Sequence, residues 1–254
     1  MDQMLAGNVA FLTGASGGLG AHFARLLSQN GAAVAITARR VDKIEALAAE
    51  LNAAGGKAIA LPLDVADAHA IAPALDRAAA ELGTIDILIN NAGVGGEGMA
   101  LDLTIEEFDA TFAVNVRGTY FAAREAAARM LAAKVPGRIV NIASIASHTV
   151  LPGLSAYCGS KAAVAMLTKS FAREWARAGI AVNALCPGYI ETGINDFWWP
   201  TEGGQRQLKG FPRRRLMDAQ DLDAAFLMLA GPAAKAITGS IITIDDGQSL
   251  PGGG

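Results

Sequence analysis

The sequence has few cysteines and histidines, and this shortage excludes several kinds of site. Its two cysteines, Cys158 and Cys186, lack the spacing of a metal site or of a redox pair, so we expect reduced thiols. The three histidines, His22, His69 and His148, are scattered, and no two of them have the spacing of paired metal ligands on a helix. We therefore predict that the protein has no metal site.

The sequence also lacks a membrane-spanning run and a basic surface. No stretch of about 18 apolar residues is free of polar interruption, and residues 1–8 show no basic region followed by an apolar one. Acidic residues outnumber basic ones by 24 to 21, and the one short basic run is Arg213-Arg214-Arg215. These features predict a cytoplasmic protein that binds neither a membrane nor nucleic acid.

Charged residues make up only 18% of the chain, whereas hydrophobic residues make up 52%. This balance excludes a disordered chain, and we expect part of the apolar excess to lie in subunit contacts. A chain of 254 residues can form one α/β domain with a large core. We therefore predict a single domain over residues 1–254.

Seven short apolar runs alternate with helix-forming segments along the chain. Because the runs are continuously apolar, they suit strands that are covered on both faces. The alternation predicts right-handed crossovers and a doubly wound parallel sheet with helices on both faces, whose ligand site lies beyond the carboxyl ends of the strands. The predicted strands are 9–13, 33–37, 58–61, 86–90, 138–142, 180–185 and 240–244. The predicted helices are 18–30, 41–54, 67–82, 104–134, 155–178 and 219–230.

One segment, residues 191–215, departs from this alternation. Glycine, proline and charged residues interrupt any sustained period there. We interpret it as an insertion that covers the substrate site rather than as a linker.

A glycine-rich turn, Thr13-Gly-Ala-Ser-Gly-Gly-Leu-Gly20, follows the first predicted strand and leads into a helix. Glycines let the backbone approach a pyrophosphate closely, and the free N–H groups at the start of the helix attract its charge. The turn therefore predicts dinucleotide binding, and a glycine-rich turn without a ligand is the alternative. The predicted cofactor contacts in it are Gly14, Ser16, Gly18, Leu19 and Gly20.

The end of the second predicted strand indicates which dinucleotide binds. An acidic residue there would accept hydrogen bonds from the adenosine ribose, but the chain has Ala38, followed by Arg39 and Arg40. A cation at this position suits a 2′-phosphate, so NADP(H) is favoured over NAD(H). The alternative is that both arginines are solvated charges at the start of a helix.

Tyr157 and Lys161 lie four residues apart on a predicted helix and therefore share one of its faces. A neighbouring ammonium and a positive nicotinamide ring would favour the phenolate and lower the tyrosine pKa towards neutrality. The same spacing occurs by chance in many helices. Here Ser144 precedes Tyr157 by 13 residues, at the end of the fifth predicted strand, and this makes the pattern more specific.

Taken together, these motifs resemble the short-chain dehydrogenase/reductase family over nearly the whole chain. The resemblance implies a Rossmann-type sheet and an oxidoreductase that uses a nicotinamide cofactor. The matching motifs are the glycine-rich turn, Asp64-Val65, Asn90-Asn-Ala-Gly93, Asn115, Ser144, Tyr157-x-x-x-Lys161, and Pro187-Gly188 with Thr192.

The resemblance implies a role for each candidate catalytic residue. Tyr157 would exchange a proton with the substrate oxygen, and Ser144 would hydrogen-bond the same atom. Lys161 would hold the nicotinamide ribose and lower the tyrosine pKa, and Asn115 would hold a water that links Lys161 to solvent. For Asn115, the alternative is a polar residue that bends a helix.

The resemblance also implies further cofactor contacts. Asp64 and Val65 would meet the adenine, although Asp64 could instead be a helix N-cap, and Asn90-Asn91 could be a turn pair. The remaining contacts would be Asn91, Ala92 and Gly93 on the adenosine side, and Pro187, Gly188, Ile190 and Thr192 near the nicotinamide.

The substrate is less well determined. Family members that reduce 3-oxoacyl thioesters usually carry glutamine three residues before the tyrosine, whereas this chain has Leu154, so we expect a less polar pocket and a rather apolar ketone or alcohol. Phe197, Trp198 and Trp199 could close an apolar cover over such a substrate or, alternatively, pack in a subunit contact. A thioester reductase remains an alternative activity.

The resemblance further implies a homotetramer built on the helices near 104–134 and 155–178, with a homodimer as the alternative. Residues 245–248 read Asp-Asp-Gly-Gln, whereas relatives commonly have Asp-Gly-Gly. Two other classes of protein stay open, namely a sensor that binds NADP(H) without turnover and a structural subunit that binds no cofactor.

Overall fold

The structure is a computed structural model, and it describes residues 3–96, 98–191 and 197–250. Its centre is a seven-stranded parallel sheet with the strand order β3-β2-β1-β4-β5-β6-β7. The strands are β1 Val9–Thr13, β2 Ala33–Ala38, β3 Lys57–Pro62, β4 Ile87–Asn90, β5 Gly137–Ile142, β6 Ile180–Pro187 and β7 Ile241–Ile244. The predicted doubly wound α/β sheet is confirmed, with each strand within two residues of its predicted bounds.

Helices pack on both faces of the sheet, because the central strands are apolar on both sides. The α-helices are α1 Gly18–Gln29, α2 Val41–Ala53, α3 Ala68–Leu82, α4 Ile105–Phe112, α5 Thr119–Ala133, α6 Ser155–Trp175, α7 Glu202–Gly210 and α8 Asp223–Ala230. In the described residues, no helix is both long enough and apolar enough to cross a bilayer.

Two hydrophobic cores, one on each face, hold these layers together. On one face, Phe23 of α1 stacks on Phe226 of α8 with ring centroids 4.1 Å apart, and both rings are fully buried. On the other face, Phe171 of α6 packs among the alanines of α5 against β4 and β5. Burying one such ring contributes about 1.5–3 kcal/mol, so the two cores fix the sheet between its helices.

The strand order reverses between β1 and β4, and this reversal positions the site. From β1 the chain winds outwards to β2 and β3, and it then returns to β4 on the other side of β1. Connections therefore leave β1 and β4 in opposite directions and open a crevice beyond their carboxyl ends. The loops after the strands β1 to β6 all reach this crevice.

Two helical segments differ from their predicted form. The predicted helix 104–134 is interrupted by a π-helical turn, Ala113–Gly118, between α4 and α5. The segment 191–215, predicted as an irregular insertion, contains α7, which begins at the N-cap Thr201, whose hydroxyl accepts a hydrogen bond from the Gly204 N–H at 3.0 Å. The glycines of α7 hid its helical pattern in the sequence.

Candidate active site

A cleft of about 890 Å³ opens at the carboxyl edge of the sheet. Of the predicted site residues, Asn115 lies behind its wall and Thr192 lies outside the described residues. The other predicted site residues all line the cleft: Gly14, Ser16, Gly18, Leu19, Gly20, Arg39, Arg40, Asp64, Val65, Asn91, Ala92, Gly93, Ser144, Tyr157, Lys161, Pro187, Gly188 and Ile190.

The glycine-rich turn forms one end of the cleft with its backbone exposed to it. Gly14 has φ +72°, and a Cβ there would lie 2.7 Å from the Ala92 Cα. A Cβ on Gly20 would lie 2.2 Å from the Gly14 carbonyl oxygen. Helix α1 begins at Gly18 without a side-chain cap, so its first N–H groups stay free to bind an anion. This end of the cleft fits a pyrophosphate.

Asn91 fastens this turn to the loop after β4. Its side-chain amide donates to the carbonyl oxygens of Thr13, at 3.0 Å, and Gly14, at 3.1 Å. In return, the Thr13 hydroxyl accepts hydrogen bonds from the backbone N–H groups of Asn91 and Ala92. Thr13 was not among the predicted site residues, although a threonine that ends a buried strand beside a glycine-rich turn is a usable signal.

Two arginines lie at the end of β2. Arg40 crosses to the glycine-rich turn, where its Nη2 donates to the Ser16 hydroxyl at 3.0 Å, whereas Arg39 is exposed at the rim of the cleft. Asp64 is the one acidic residue among the described residues that line the cleft, and its carboxylate accepts from the Ala66 N–H at 3.0 Å. Asp64 therefore caps a turn, and the N-cap of α3 is Asp67.

Ser144, Tyr157 and Lys161 lie together at the opposite end of the cleft. Ser144 lies two residues beyond the last residue of β5, and its hydroxyl accepts from the Ala146 N–H at 3.1 Å. Tyr157 is in the first turn of α6. The Lys161 ammonium lies 5.7 Å from the centre of the Tyr157 ring and donates to the Ile142 carbonyl oxygen at 2.8 Å. Hydroxyl, phenol and ammonium groups thus face one small volume.

Burial changes the pKa of both titratable groups. It raises the pKa of Tyr157 above its ordinary value, and a hydrogen bond with Ser144 opposes this rise. Burial also lowers the pKa of Lys161 to about 8, because the ammonium is removed from water and no carboxylate among the described residues pairs with it. Desolvation of the phenol sets the direction of this shift in the chain by itself, and the lowering by Lys161 together with a nicotinamide ring stays a prediction for the enzyme with its cofactor.

Asn115 lies in the π-helical turn and is almost completely buried. Its amide nitrogen donates to the Val94 carbonyl oxygen and the Ser160 hydroxyl, both at 2.9 Å, and its oxygen accepts from the Val94 N–H at 2.8 Å. The side chain therefore joins the loop after β4 to α6, directly behind Lys161. π-Helical turns often occur at functional sites, because the extra residue reorients the chain.

The end of the cleft beside Tyr157 is mainly apolar. Among the described residues that line it, Lys161 is the one basic side chain, and none is acidic. Tyr189, which the sequence analysis missed, also lines it and contacts two aromatic rings of the α7 region, Trp199 at 5.3 Å and Phe211 at 5.6 Å between centroids. The apolar lining is formed by Val94, Gly95, Ile145, Leu151 and Leu154.

The three aromatic residues predicted to cover the substrate differ in exposure. Phe197 is 66% exposed and Trp198 is 40% exposed, whereas Trp199 is buried against Tyr189 and Phe211. His148 and Cys158 do not line the cleft. In the part of the chain that the structure describes, no three histidine, cysteine or acidic residues converge as metal ligands.

Known proteins match this chain over most of its length. The family model of the short chain dehydrogenases matches residues 8–203. The chain is 37% identical to the D-threitol dehydrogenase of Mycolicibacterium smegmatis, over 98% of this chain and 95% of that protein. It is 35% identical to the 2,3-dihydro-2,3-dihydroxybenzoate dehydrogenase of Bacillus subtilis, over 97% of each chain.

A solved structure agrees in fold as well as in sequence. The gluconate 5-dehydrogenase of Burkholderia cenocepacia, in complex with NADP and tartrate, superposes with a TM-score of 0.93 at 33% identity, over 98% of each chain. These matches agree with the glycine-rich turn and the tyrosine-lysine pair that the cleft brings together. The chain therefore belongs to the short-chain dehydrogenase family and is an oxidoreductase of alcohol and ketone groups that uses a nicotinamide cofactor.

Proposed function

We propose that the protein is a cytoplasmic NADP(H)-dependent carbonyl reductase and secondary-alcohol dehydrogenase for a small to medium, rather apolar substrate. The observation that carries this proposal is the cleft itself, with a phosphate-binding turn at one end and Tyr157, Ser144 and Lys161 at the other. Because one continuous cleft joins both ends, a dinucleotide bound at the turn could extend to the tyrosine.

The catalytic residues handle the proton of the reaction. When bound, the nicotinamide supplies the hydride for reduction or takes it up for oxidation. In reduction, Tyr157 gives its phenolic proton to the carbonyl oxygen as the carbon gains the hydride, and the product is a secondary alcohol. Ser144 donates a hydrogen bond to the same oxygen and stabilises the negative charge that develops there.

Lys161 assists Tyr157 by its charge. A positive ammonium 5.7 Å from the phenol ring stabilises the phenolate that remains after proton transfer. Asn115 supports this arrangement, since its amide holds the loop after β4 against α6 beside the lysine. Asn115 would also hold a water that links Lys161 to solvent.

The NADP(H) preference rests on the charges near β2. Arg39 is exposed at the rim, and Ala38 stands where a carboxylate would repel a 2′-phosphate. Arg40 is fixed against Ser16 beside the same rim. The related gluconate 5-dehydrogenase, whose structure contains NADP, supports the same choice.

The choice of substrate rests on the apolar lining beside Tyr157, which favours an uncharged ketone or alcohol. Leu154 and Leu151 stand where a polar thioester substrate would require hydrogen-bonding partners, so reduction of 3-oxoacyl thioesters is the weaker candidate. A polyol is a second candidate, because the D-threitol dehydrogenase is 37% identical and three residues with hydroxyl groups, Ser144, Tyr157 and Tyr189, line the cleft.

The substrate screen that tests the proposal combines four classes of compound with both cofactors. Apolar ketones, D-threitol, 3-oxoacyl thioesters and gluconate are each assayed with NADPH or NADP⁺ and with NADH or NAD⁺. We expect the highest kcat/KM for an apolar ketone with NADPH. Tight NADPH binding without turnover of any compound would favour a sensor, and the absence of cofactor binding would favour a structural subunit.

The proposal includes two further features. Residues 191–215 would cover the substrate, with the aromatic contacts of Tyr189 at their base. The protein would be a homotetramer that buries the outer faces of α4, α5 and α6, where Phe108, Tyr120 and Met166 are exposed.

A further inference from the structure

The turn after β7, residues 245–250, contacts the chain on both sides of α7. We propose that Asp246 and Gln248 in this turn are positioning residues, which hold the cleft wall at Gly188–Ile190 against the chain that returns from α7 and so fix Tyr189 at the substrate end. The proposal depends on the proposed function for its kinetic measurement only.

The turn would hold two segments that lie side by side, and we call them limbs. One limb is residues 188–191, before α7, and the other, the returning limb, is residues 211–217, after α7. The Glu191 N–H donates to the Met217 carbonyl oxygen at 3.0 Å, and the Met217 N–H donates to the Tyr189 carbonyl oxygen, also at 3.0 Å. Ile190 and Met217 form an isolated parallel bridge between them. These two hydrogen bonds join the limbs at one point only. Further contacts are therefore needed to keep the two limbs aligned.

Gln248 supplies contacts to both limbs with a single side chain. Its amide oxygen accepts from the Tyr189 N–H at 2.6 Å, and its amide nitrogen donates to the carbonyl oxygens of Tyr189 and Arg215, at 3.4 Å each. A Cβ on Gly188 would lie 2.4 Å from the Gln248 amide oxygen. The same Cβ would lie 2.9 Å from the backbone Cα of Asp245, so the close approach requires glycine at 188, and the side chain of Gln248 packs directly behind the cleft wall.

Asp246 binds the returning limb by charge. Its carboxylate accepts a hydrogen bond from the Arg215 Nε at 2.8 Å and lies 3.2 Å from the Arg213 Nη1, and only 11% of its side chain is exposed. Its φ of +57° is in the left-handed region, where glycine is free of strain. Glycine would meet this backbone requirement but would leave both arginines without the carboxylate.

The turn is itself held in one conformation. The Asp245 carboxylate accepts from the N–H groups of Gly247, at 3.0 Å, and Ser249, at 2.8 Å. A Cβ on Gly247 would lie 3.3 Å from the Pro212 Cγ, so the turn packs closely on the returning limb. Three successive residues, 246 to 248, thus contact this limb.

The test removes the carboxylate without straining the backbone. Glycine and asparagine both tolerate a left-handed φ, so the melting temperature of Asp246→Gly and Asp246→Asn should stay unchanged or rise. Limited trypsin digestion then follows cleavage after Arg206 and Lys209, which lie on α7, before the ion-paired Arg213 and Arg215 in the chain. We expect cleavage there to become about tenfold faster, as for a lost charge-assisted hydrogen bond.

The kinetic measurement uses the most active ketone from the substrate screen. KM for this ketone should rise about fivefold to tenfold, whereas kcat should change less than about twofold, because uniform substrate binding is lost. Gln248→Ala should act in the same direction. Glu50→Gln, which removes the exposed Arg25 ion pair between α1 and α2, is the matched control and should change nothing.

Two results would overturn the proposal. One is unchanged cleavage at Arg206 and Lys209 in both Asp246→Gly and Gln248→Ala. The other is a melting temperature that falls by several degrees in Asp246→Gly together with faster cleavage, since the turn would then support the whole fold. If no ketone is reduced, the function proposed above fails, and the cleavage rates still decide the role of the turn.

Discussion

At the scale of single residues, the site depends on a phenol that lies between a hydroxyl and a buried ammonium. Ser144 and Lys161 reach Tyr157 from different elements, the loop after β5 and the next turn of α6. Neither group can move far, because the Ser144 hydroxyl accepts from the Ala146 N–H and the lysine donates to the Ile142 carbonyl oxygen. The phenol is therefore held in place before a substrate binds.

Replacement of Tyr157 by phenylalanine tests the proton donor. Tyr157→Phe keeps the ring and removes the hydroxyl, so kcat should fall by about 10²–10⁴-fold, the usual contribution of a general acid. The Kd for NADPH, measured by fluorescence titration, should change by less than about threefold, because the glycine-rich turn is intact. Tyr120→Phe, on the outer face of α5, is the control, and comparable turnover by both variants would remove Tyr157 from its role.

The pH dependence of ketone reduction should follow the protonation of the Lys161 ammonium. Its pKa is lowered to about 8, so the ammonium loses its proton as the pH rises through 8, and ketone reduction should decline above that pH. The pKa of Tyr157 is raised, so the phenol still holds its proton there. The profile of kcat/KM for NADPH between pH 6 and 11 describes the enzyme without cofactor, and an alkaline limb at pH 10 or above would contradict this assignment.

Arg39 should account for tighter binding of NADPH than of NADH. Arg39→Ala removes the exposed cation at the rim of the cleft, and the Kd for NADPH should rise about 10- to 100-fold, as for the loss of a charge-assisted hydrogen bond. The Kd for NADH should change by less than about twofold. Arg25→Ala, an exposed arginine on α1, is the control, and equal losses for both cofactors would refute the NADP(H) preference.

At the scale of elements, the phosphate end of the cleft depends on how closely the backbone of β1, α1 and the loop after β4 can pack. Alanine should have opposite effects on stability at two glycines of the same turn. A Cβ on Gly20 would lie 2.2 Å from the Gly14 carbonyl oxygen, whereas a Cβ on Gly17 would have the Arg40 Nη2, at 3.4 Å, as its nearest neighbour. The first contact is with backbone that cannot yield, and the second is with the end of a flexible side chain.

Gly20→Ala should therefore destabilise the protein, and Gly17→Ala should not. Overpacking of this kind costs about 1–3 kcal/mol, which corresponds to a fall of several degrees in the melting temperature. Differential scanning fluorimetry of the two variants beside the wild type measures the difference. Equal melting temperatures would show that α1 can shift to accept a Cβ at position 20.

At the scale of the whole molecule, the apolar outer surface of α4–α6 bears on the oligomeric state. Phe108 is 43% exposed, and Met166 is 62% exposed beside the shallow depression that Tyr120 and Leu167 line. Light scattering should give the mass of four chains. Met166→Asp should yield smaller species because it buries a charge in the contact, whereas Ala54→Asp at the end of α2 should stay tetrameric. A wild-type mass of one chain would contradict the proposed tetramer.

The sequence by itself determined the sheet, the order of its elements and most of the residues that line the cleft. Its strands are continuously apolar, so each is recognisable without its neighbours, and the alternation of strands and helices permits few topologies. Tyr157 and Lys161 were predictable because four residues on a helix bring two side chains together, wherever that helix packs.

Only the tertiary structure decided the contacts between segments that are far apart in sequence. Asn91 reaches the carbonyl oxygens of Thr13 and Gly14 across 78 and 77 residues, and Gln248 reaches Tyr189 across 59. Such contacts follow no period along the chain, since they depend on which loops the folded sheet brings to one edge. The direction of the Tyr157 pKa shift belongs here too, because it depends on how much water the folded cleft removes from the phenol.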